Sequence, residues 1–256
     1  MNQLLAIDAG NTRLKWGVHD GGGWVRKGAM PVAEAALPGR LQDLWPAQEI
    51  SNAIASNVAG DAIATAIVNA LQPLEPRFIV AQPAQCGVVN QYRIPAQLGS
   101  DRWAALVAAY AMVLPGTLAP RLVIVAGTAL TIDALTPDGE FTGGVIVPGP
   151  ALMRAALNRG TARLPAESGG YEIFPSGTLN AIATGAVEAC IGAIIRMHAH
   201  LAACSGVMPV CILSGGAAGL LAPHLEMLSF PLVFNENLVL DGLVAISTEM
   251  NSPKDD

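Results

Sequence analysis

The chain has 256 residues, which is enough for one large domain or two modest lobes with a sizeable core. Apolar residues make up 52% of it and charged residues only 13%, which excludes a disordered chain, because disorder needs low hydrophobicity and high charge. The net charge of −6 and the lack of any Lys/Arg cluster argue against a nucleic-acid-binding protein, which needs a basic face.

The N-terminal residues and the cysteines predict a cytoplasmic protein. The first apolar run follows no basic residue and ends at Asp8, so it is not typical of a signal peptide. The four cysteines have no CxxC spacing, and we expect them to be reduced thiols in the core. The long apolar segment 179–197 contains Asn180 and Glu188, which favours a buried helix, and we expect no membrane partner.

Residues 4–30 predict a meander of three strands. The apolar run Leu4 to Ile7 is typical of a buried strand, and a Gly-Asn-Thr turn follows it. Residues 14–18 alternate as a second strand, and the glycines after Asp20 indicate a turn into a third strand over 24–30.

The same order of elements recurs over residues 122–147. A strand over 122–125 leads into the turn Ala126-Gly127-Thr128, and strands over 129–135 and 141–147 follow. Two meanders about half a chain apart indicate an internal duplication and two similar lobes.

Alanine-rich segments between and after the meanders predict helices. They cover residues 104–113, 151–158 and 178–203, and a buried strand is expected at 210–213. The mixture predicts an α/β fold. Pro and Gly at 115–120 favour a boundary there, which gives an N-terminal lobe over 1–117, a C-terminal lobe over 118–250 and a frayed tail over 251–256.

Two glycine turns are candidate phosphate sites, since the chain has no GxxxxGK[ST] motif. Glycine lets backbone N–H groups approach phosphate oxygens, and the threonines at 12 and 128 add donors. Lys15 supplies a positive charge on the next strand, and Asp8 is a candidate ligand for Mg²⁺. Ordinary hairpin turns explain the same residues about equally well.

A second constellation precedes the helix over 104–113. Asp101 and Arg102 are an acid and a base side by side in a chain with few charges. A kinase needs a carboxylate to accept the proton of the substrate hydroxyl, and a cation helps near the transferred phosphoryl group. The alternative is that Ser100 or Asp101 only caps the helix.

The two hairpins resemble those of the acetate kinase/sugar kinase/Hsp70/actin group, in which facing hairpins clasp the ATP phosphates. The resemblance implies duplicated ribonuclease-H-like lobes, with mixed sheets flanked by helices. It also implies that the strand ending at Ser214, with Gly215 and Gly216 after it, lies on the adenosine side of the nucleotide.

The motifs together resemble type III pantothenate kinase over essentially the whole chain. The matching segments share their order and spacing with that family; they are Asp8 to Thr12 with Lys15, Asn90 to Tyr92 with Pro95, and the segments 99–103, 127–133, 143–149, 214–216 and 237–243.

The resemblance implies ATP-dependent phosphorylation of pantothenate to 4'-phosphopantothenate, the first step toward coenzyme A. It implies Asp101 as the catalytic base and a homodimer in which the partner chain completes the pantothenate pocket. The implied nucleotide contacts are Asp8, Gly10, Asn11, Thr12, Lys15, Gly127, Thr128, Gly215 and Gly216, with Mg²⁺ at Asp8. The implied pantothenate contacts are Tyr92, Gly99, Ser100, Asp101, Arg102 and Thr178.

Two positions depart from the family pattern. An aspartate that helps bind a monovalent cation usually precedes the second Ala-Gly-Thr, but Val125 stands there, which weighs against a K⁺ or NH₄⁺ site. Gly177 replaces a frequent Asn before Thr178. Two alternatives to a pantothenate kinase stay open: a non-catalytic nucleotide-binding regulator, such as a transcription accessory factor, and a phosphoanhydride or acyl-phosphate hydrolase of the same fold.

Overall fold

The computed structural model describes residues 3–37, 39–45, 49–114, 118–160 and 169–252. The chain forms two compact units, one from residues 1–113 together with 237–256 and the other from residues 114–236. Each unit contains a mixed sheet and helices, as the sequence predicts.

The first unit is built on a five-stranded sheet in the order β3-β2-β1-β4-β5. Strand β1 is antiparallel to β2 and parallel to β4. Its residues 5–7 are fully buried, which is why they read as an unbroken apolar run rather than an alternating one. The strands and helices of the part before residue 114 are β1 (Leu4–Ala9), β2 (Arg13–His19), β3 (Trp24–Pro31), α1 (Val32–Ala35), β4 (Asn52–Asn57), α2 (Asp61–Leu71), β5 (Arg77–Phe78), β6 (Ala84–Gln85), β7 (Val88–Asn90), a 3₁₀ helix (Pro95–Gln97) and α3 (Ser100–Ala111).

Helix α3 is buried on nearly all sides, with nine of its residues in the core. One of its neighbours is α7 (Leu238–Asn251), which returns to the first unit from the far end of the chain. A Cβ atom at Gly242 of α7 would overlap the backbone of Ala104, so glycine there allows the two helices to pack closely.

The position of α7 differs from the sequence prediction. The C-terminal lobe was expected to cover 118–250, but residues 237–251 pack with the first unit, because the apolar face of α7 is buried against α3 and β1. Residues 115–117, at the predicted boundary, and 253–256 of the predicted tail lie outside the described residues.

The second unit repeats the sheet of the first. Its strands lie in the order β10-β9-β8-β11-β12, with β8 antiparallel to β9 and parallel to β11. The duplicated meander predicted from the sequence is therefore present in both units. The elements of this unit are β8 (Arg121–Ala126), β9 (Ala129–Leu135), β10 (Glu140–Pro148), α4 (Pro150–Gly160), α5 (Thr178–Ser205), β11 (Val210–Ser214), α6 (Ala218–Glu226) and β12 (Leu232–Phe234).

Helix α5 packs one face against this sheet. Val187, Cys190, Ile191 and Ile194 join the core formed with β8, β9 and β11, and the helix ends at Gly206 in a left-handed conformation. By length and composition α5 is the one helix of the described residues that could cross a membrane, a test that core helices of soluble proteins also pass.

Candidate active site

The turn between β1 and β2 leaves polar groups exposed at the end of a buried strand. Gly10 donates its backbone N–H to the carbonyl of Arg13 at 3.1 Å, and a Cβ at Gly10 would lie 3.2 Å from that oxygen. Asn11 and Thr12, at the tip, are exposed. The turn therefore presents backbone and side-chain donors to any group that approaches it.

A row of three polar side chains crosses the sheet beside this turn. Asp8 on β1 is paired in register with Lys15 on β2 and with Ser56 on β4. Directly paired residues of neighbouring strands project from the same face of a sheet. A cation, a carboxylate and a hydroxyl thus lie side by side at this edge of the first unit.

The environment of Asp8 favours its protonated form. The pKa of Asp8 is raised from 3.8 to about 7, first by burial and then by the carboxylate of Asp101, while Lys15 acts in the opposite direction. The two acids come from distant parts of the chain and repel each other electrostatically. A divalent cation would offset their repulsion, so the residues present fit a Mg²⁺ ion held with phosphate oxygens.

The first turn of α3 is anchored on both sides of Asp101. Ser100 forms a hydrogen bond with Ser56 at 2.8 Å, and the indole N–H of Trp103 donates to Gln85 at 3.1 Å. Asp101 itself is half-buried, and its Oδ1 accepts the backbone N–H of Arg102 at 2.8 Å. These contacts fix the direction of the Asp101 carboxylate.

Gly99 makes room for that carboxylate. A Cβ at this position would lie 2.6 Å from Oδ1 of Asp101, which is closer than a real Cβ contact. A side chain at position 99 would therefore displace the acid.

Arg102 and Tyr92 form a pair beside the same turn. The guanidinium Nη1 donates to the phenolic oxygen at 3.1 Å and its carbon lies 5.8 Å from the ring centroid. Tyr92 is held in turn by Asn90, whose side-chain oxygen accepts its backbone N–H at 3.1 Å and whose side-chain nitrogen donates to the carbonyl of Pro95 at 3.2 Å. A buried cation next to a half-buried phenol is suited to an anionic or polar substrate group.

The second glycine turn is supported by two further glycines. Gly127 donates its N–H to the carbonyl of Ala129 at 2.9 Å, and Gly149 donates to the carbonyl of Thr128 at 2.8 Å. A Cβ at Gly149 or at Gly215 would overlap backbone atoms of residues 126–128, so both glycines permit close approach to the turn. The second unit thus brings Gly127, Thr128 and Gly215 together.

Known proteins resemble this chain over nearly its whole length. The sequence profile described as Type III pantothenate kinase matches residues 4–200. A type III pantothenate kinase of Nitrosospira multiformis is 46% identical over 249 residues, which is 96% of this chain and 91% of that protein. The chain belongs to the type III pantothenate kinase family. Family membership confirms the resemblance seen in the motifs and places the chain among ATP-using kinases that act on pantothenate.

Solved structures confirm the fold. A Sinorhizobium meliloti protein assigned as a 2-dehydro-3-deoxygalactonokinase superposes with a TM-score of 0.61 at 15% identity, and covers 98% of this chain and 100% of its own. A Campylobacter jejuni protein assigned to the Baf family of transcriptional activators superposes with a TM-score of 0.60 at 20% identity, over 96% and 98% of the two chains. Both show the fold of the sugar kinase and actin group that the hairpins predict.

Two departures of this pantothenate kinase family member gain a structural context. Val125 is paired with Thr131, whose buried hydroxyl has no hydrogen-bond partner among the described residues. Gly177 is the N-cap residue of α5, and Thr178 after it is the first, exposed residue of that helix. In the part of the chain that the structure describes, no three His, Cys, Asp or Glu side chains form a metal cluster.

Sequence reasoning missed Ser56, and it assigned no role to Gly149. Ser56 lies on a strand of small residues that carries no motif, and its hydrogen-bond partner Ser100 lies 44 positions further along the chain. Gly149 could have been found, because a glycine between two prolines after a strand is a sign of a close backbone approach.

Proposed function

We propose that this chain transfers the γ-phosphoryl group of ATP to the hydroxyl of pantothenate with Asp101 as the base. The observation that supports this is the position of Asp101, which lies near Asp8 at the beginning of α3, in a turn held by Ser56 and Gln85. A base for in-line attack must be held rigidly next to the phosphates.

The pantothenate hydroxyl oxygen forms a bond to the γ-phosphorus while the bond from that phosphorus to the β–γ bridging oxygen breaks, and ADP leaves. The hydroxyl proton passes to the carboxylate of Asp101. Lys15 and the backbone N–H groups of the Gly10 turn stabilise the negative charge on the phosphates.

The nucleotide contacts are proposals on the same chemical grounds. Asp8 would hold Mg²⁺, which would neutralise phosphate charge when bound. Gly10, Asn11 and Thr12 in the first unit offer donors to phosphate oxygens, as do Gly127 and Thr128 in the second. Gly215 and Gly216 are proposed to lie against the adenosine.

The pantothenate contacts follow from charge. Pantothenate carries a carboxylate, and the guanidinium of Arg102 with the Tyr92 phenol is the matching group. Gly99 and Ser100 are proposed to line the same pocket. Thr178 at the exposed beginning of α5 is proposed to reach pantothenate in a homodimer.

A cytoplasmic location is proposed as well, because all four cysteines are free thiols.

A coupled assay tests the proposal. Purified protein is incubated with ATP and Mg²⁺, with and without pantothenate, and ADP and phosphopantothenate are measured. We expect ADP only when pantothenate is present, in equal amount to phosphopantothenate. ADP release without pantothenate would indicate a hydrolase, and nucleotide binding with no ADP at all would indicate a regulator.

A further inference from the structure

Ser56 is a fully buried residue of β4 that contacts the segments carrying Asp8 and Asp101. It is paired in register with Asp8, and its oxygen lies 2.8 Å from the oxygen of Ser100. Ser100 is the first residue of α3 and directly precedes Asp101. The side chain of Ser56 therefore touches the turn that carries one acid and stands next to the strand that carries the other.

Water has little access to the hydrogen bond between Ser56 and Ser100. Ser56 is 0% exposed and Ser100 is 9% exposed, so each hydroxyl depends on the other as a partner. A buried hydroxyl without a partner is unfavourable, and that ties the two residues together.

The direction of the contact distinguishes it from the other anchors of the turn. Arg102 and Trp103 bond to Tyr92 and Gln85, which lie outside the five-stranded sheet. The bond from Ser100 to Ser56 reaches a strand of the sheet itself, the immediate neighbour of β1. It thus links the beginning of α3 to the strand beside β1.

We propose that Ser56 is a positioning residue for phosphoryl transfer: through Ser100 it fixes the separation between the carboxylates of Asp8 and Asp101. The role of Ser56 rests on the proposed function, since it acts through Asp101. A shift of the base by a fraction of an ångström weakens in-line attack without removing any group that binds substrate. The loss is therefore expected in kcat rather than in KM.

Steady-state kinetics of Ser56→Ala, Ser100→Ala and the double variant test this inference. We expect Ser56→Ala to lower kcat by roughly 10-fold, with KM for ATP and for pantothenate changed by less than about threefold. Ser100→Ala should lower kcat by the same factor and, because Ser100 is proposed to line the pantothenate pocket, it should also raise KM for pantothenate. Because the two hydroxyls act as one unit, the double variant should be no slower than either single variant. Ser56→Thr keeps the hydroxyl and should recover most of the rate.

Ser247→Ala is the matched control. Ser247 is another buried serine of the first unit, on α7, and its hydroxyl accepts a long 3.4 Å contact from Asn251. We expect its kcat to stay at the wild-type value. Melting temperatures give the folded fraction of every variant, so that a rate lost through unfolding is not counted as a positioning effect.

Two results would overturn the inference: folded Ser56→Ala with kcat within twofold of wild type, or losses that multiply in the double variant. If Ser56→Ala does not fold, Ser100→Ala and Ser56→Cys are compared in the same way. Crystal structures of wild type and Ser100→Ala provide a readout that does not need turnover, since the Asp8–Asp101 carboxylate separation should change. A wild-type protein without pantothenate-dependent ADP would overturn the proposed function instead.

Discussion

In the first unit β1 reaches Asp8 before its glycine turn, and in the second unit β8 reaches Val125 before an equivalent turn. The antiparallel partner of Asp8 is Lys15, and that of Val125 is Thr131. The parallel partner is a serine in both cases, Ser56 in the first unit and Ser214 in the second.

The two units therefore share the same backbone arrangement, but only the first has charged side chains at these positions. Both units retain the register, a glycine turn and a buried serine on the parallel strand. The carboxylate and the cation occur only in the first of the two rows, Lys15–Asp8–Ser56 and not Thr131–Val125–Ser214. Under the proposed function, the first unit carries the charged groups and the second contributes mainly backbone donors.

The largest loss of activity is expected for a change at Asp101 in the first unit. Asp101→Asn keeps the shape of the side chain but cannot accept the hydroxyl proton, so kcat should fall by about 10³-fold. Isothermal titration with a non-hydrolysable ATP analogue should show unchanged nucleotide affinity. Near-full activity of this variant would rule out Asp101 as the base.

A smaller but still large effect is expected at Asp8. Asp8→Asn removes the carboxylate proposed for Mg²⁺, and kcat/KM should fall by roughly 10²-fold, with part of the loss recovered at high Mg²⁺.

Val125→Thr is the matched change in the second unit, because it alters polarity at nearly constant size at the position equivalent to Asp8. Its kcat/KM should stay within about threefold of wild type, since no charge is lost. Equal losses of kcat/KM in Asp8→Asn and Val125→Thr would contradict the assignment of the metal ligand to the first unit alone.

We expect the reaction rate to depend little on the monovalent cation. With Val125 beside the second turn, wild-type rates in K⁺, NH₄⁺ and Na⁺ salts at equal ionic strength should agree within about twofold. Val125→Asp places a carboxylate beside the Thr131 hydroxyl and should create a dependence on K⁺, because a hard cation prefers oxygen ligands. Strong activation of the wild type by K⁺ would show that other oxygen ligands suffice.

The smallest effect concerns stability and pH. Burial and Asp101 raise the pKa of Asp8 from 3.8 to about 7, so between these values the folded chain holds a proton that the unfolded chain releases. The contribution of Asp8 to the free energy of unfolding should therefore fall as the pH rises from about 4 to about 7. Asn does not titrate, so Asp8→Asn should melt a few degrees above wild type at pH 8 and near it at pH 4.

Asp20→Asn is the control for that measurement. Backbone N–H groups of Gly22 and Gly23 lower the pKa of the exposed Asp20, so its charge does not oppose folding. Scanning calorimetry should show no increase in Tm for Asp20→Asn at pH 8. A pH-independent difference between wild type and Asp8→Asn would contradict the raised pKa.

Much of the fold could be predicted because its signals are local. The apolar run before Asp8, the glycines after Asp20 and the repeat of that order around Gly127 specify strands and turns without any distant contact. Helix α3 could be predicted for the same reason. The whole set of motifs then indicated the family, and the profile match over residues 4–200 confirmed it.

What could not be predicted depends on pairing between distant segments. Strand β4 has the sequence Asn-Ala-Ile-Ala-Ser-Asn, which favours no strand on its own, and it forms because it lies parallel to β1. Ser56 becomes important only through that pairing and through α3. The assignment of α7 to the first unit likewise depends on the contact between Gly242 and Ala104, 138 positions apart in the sequence.

The position of α7 at the end of the chain also affects how the protein folds during translation. On a ribosome, residues 114–236 are translated before the helix that packs against α3, so the unit that holds Asp8 and Asp101 is finished last. A nascent chain that stops before residue 237 contains both Lys15 and Asp8, but it lacks α7, so the apolar side of α3 that packs against α7 stays exposed to water. Premature termination should thus yield an inactive, aggregation-prone product rather than a slow enzyme.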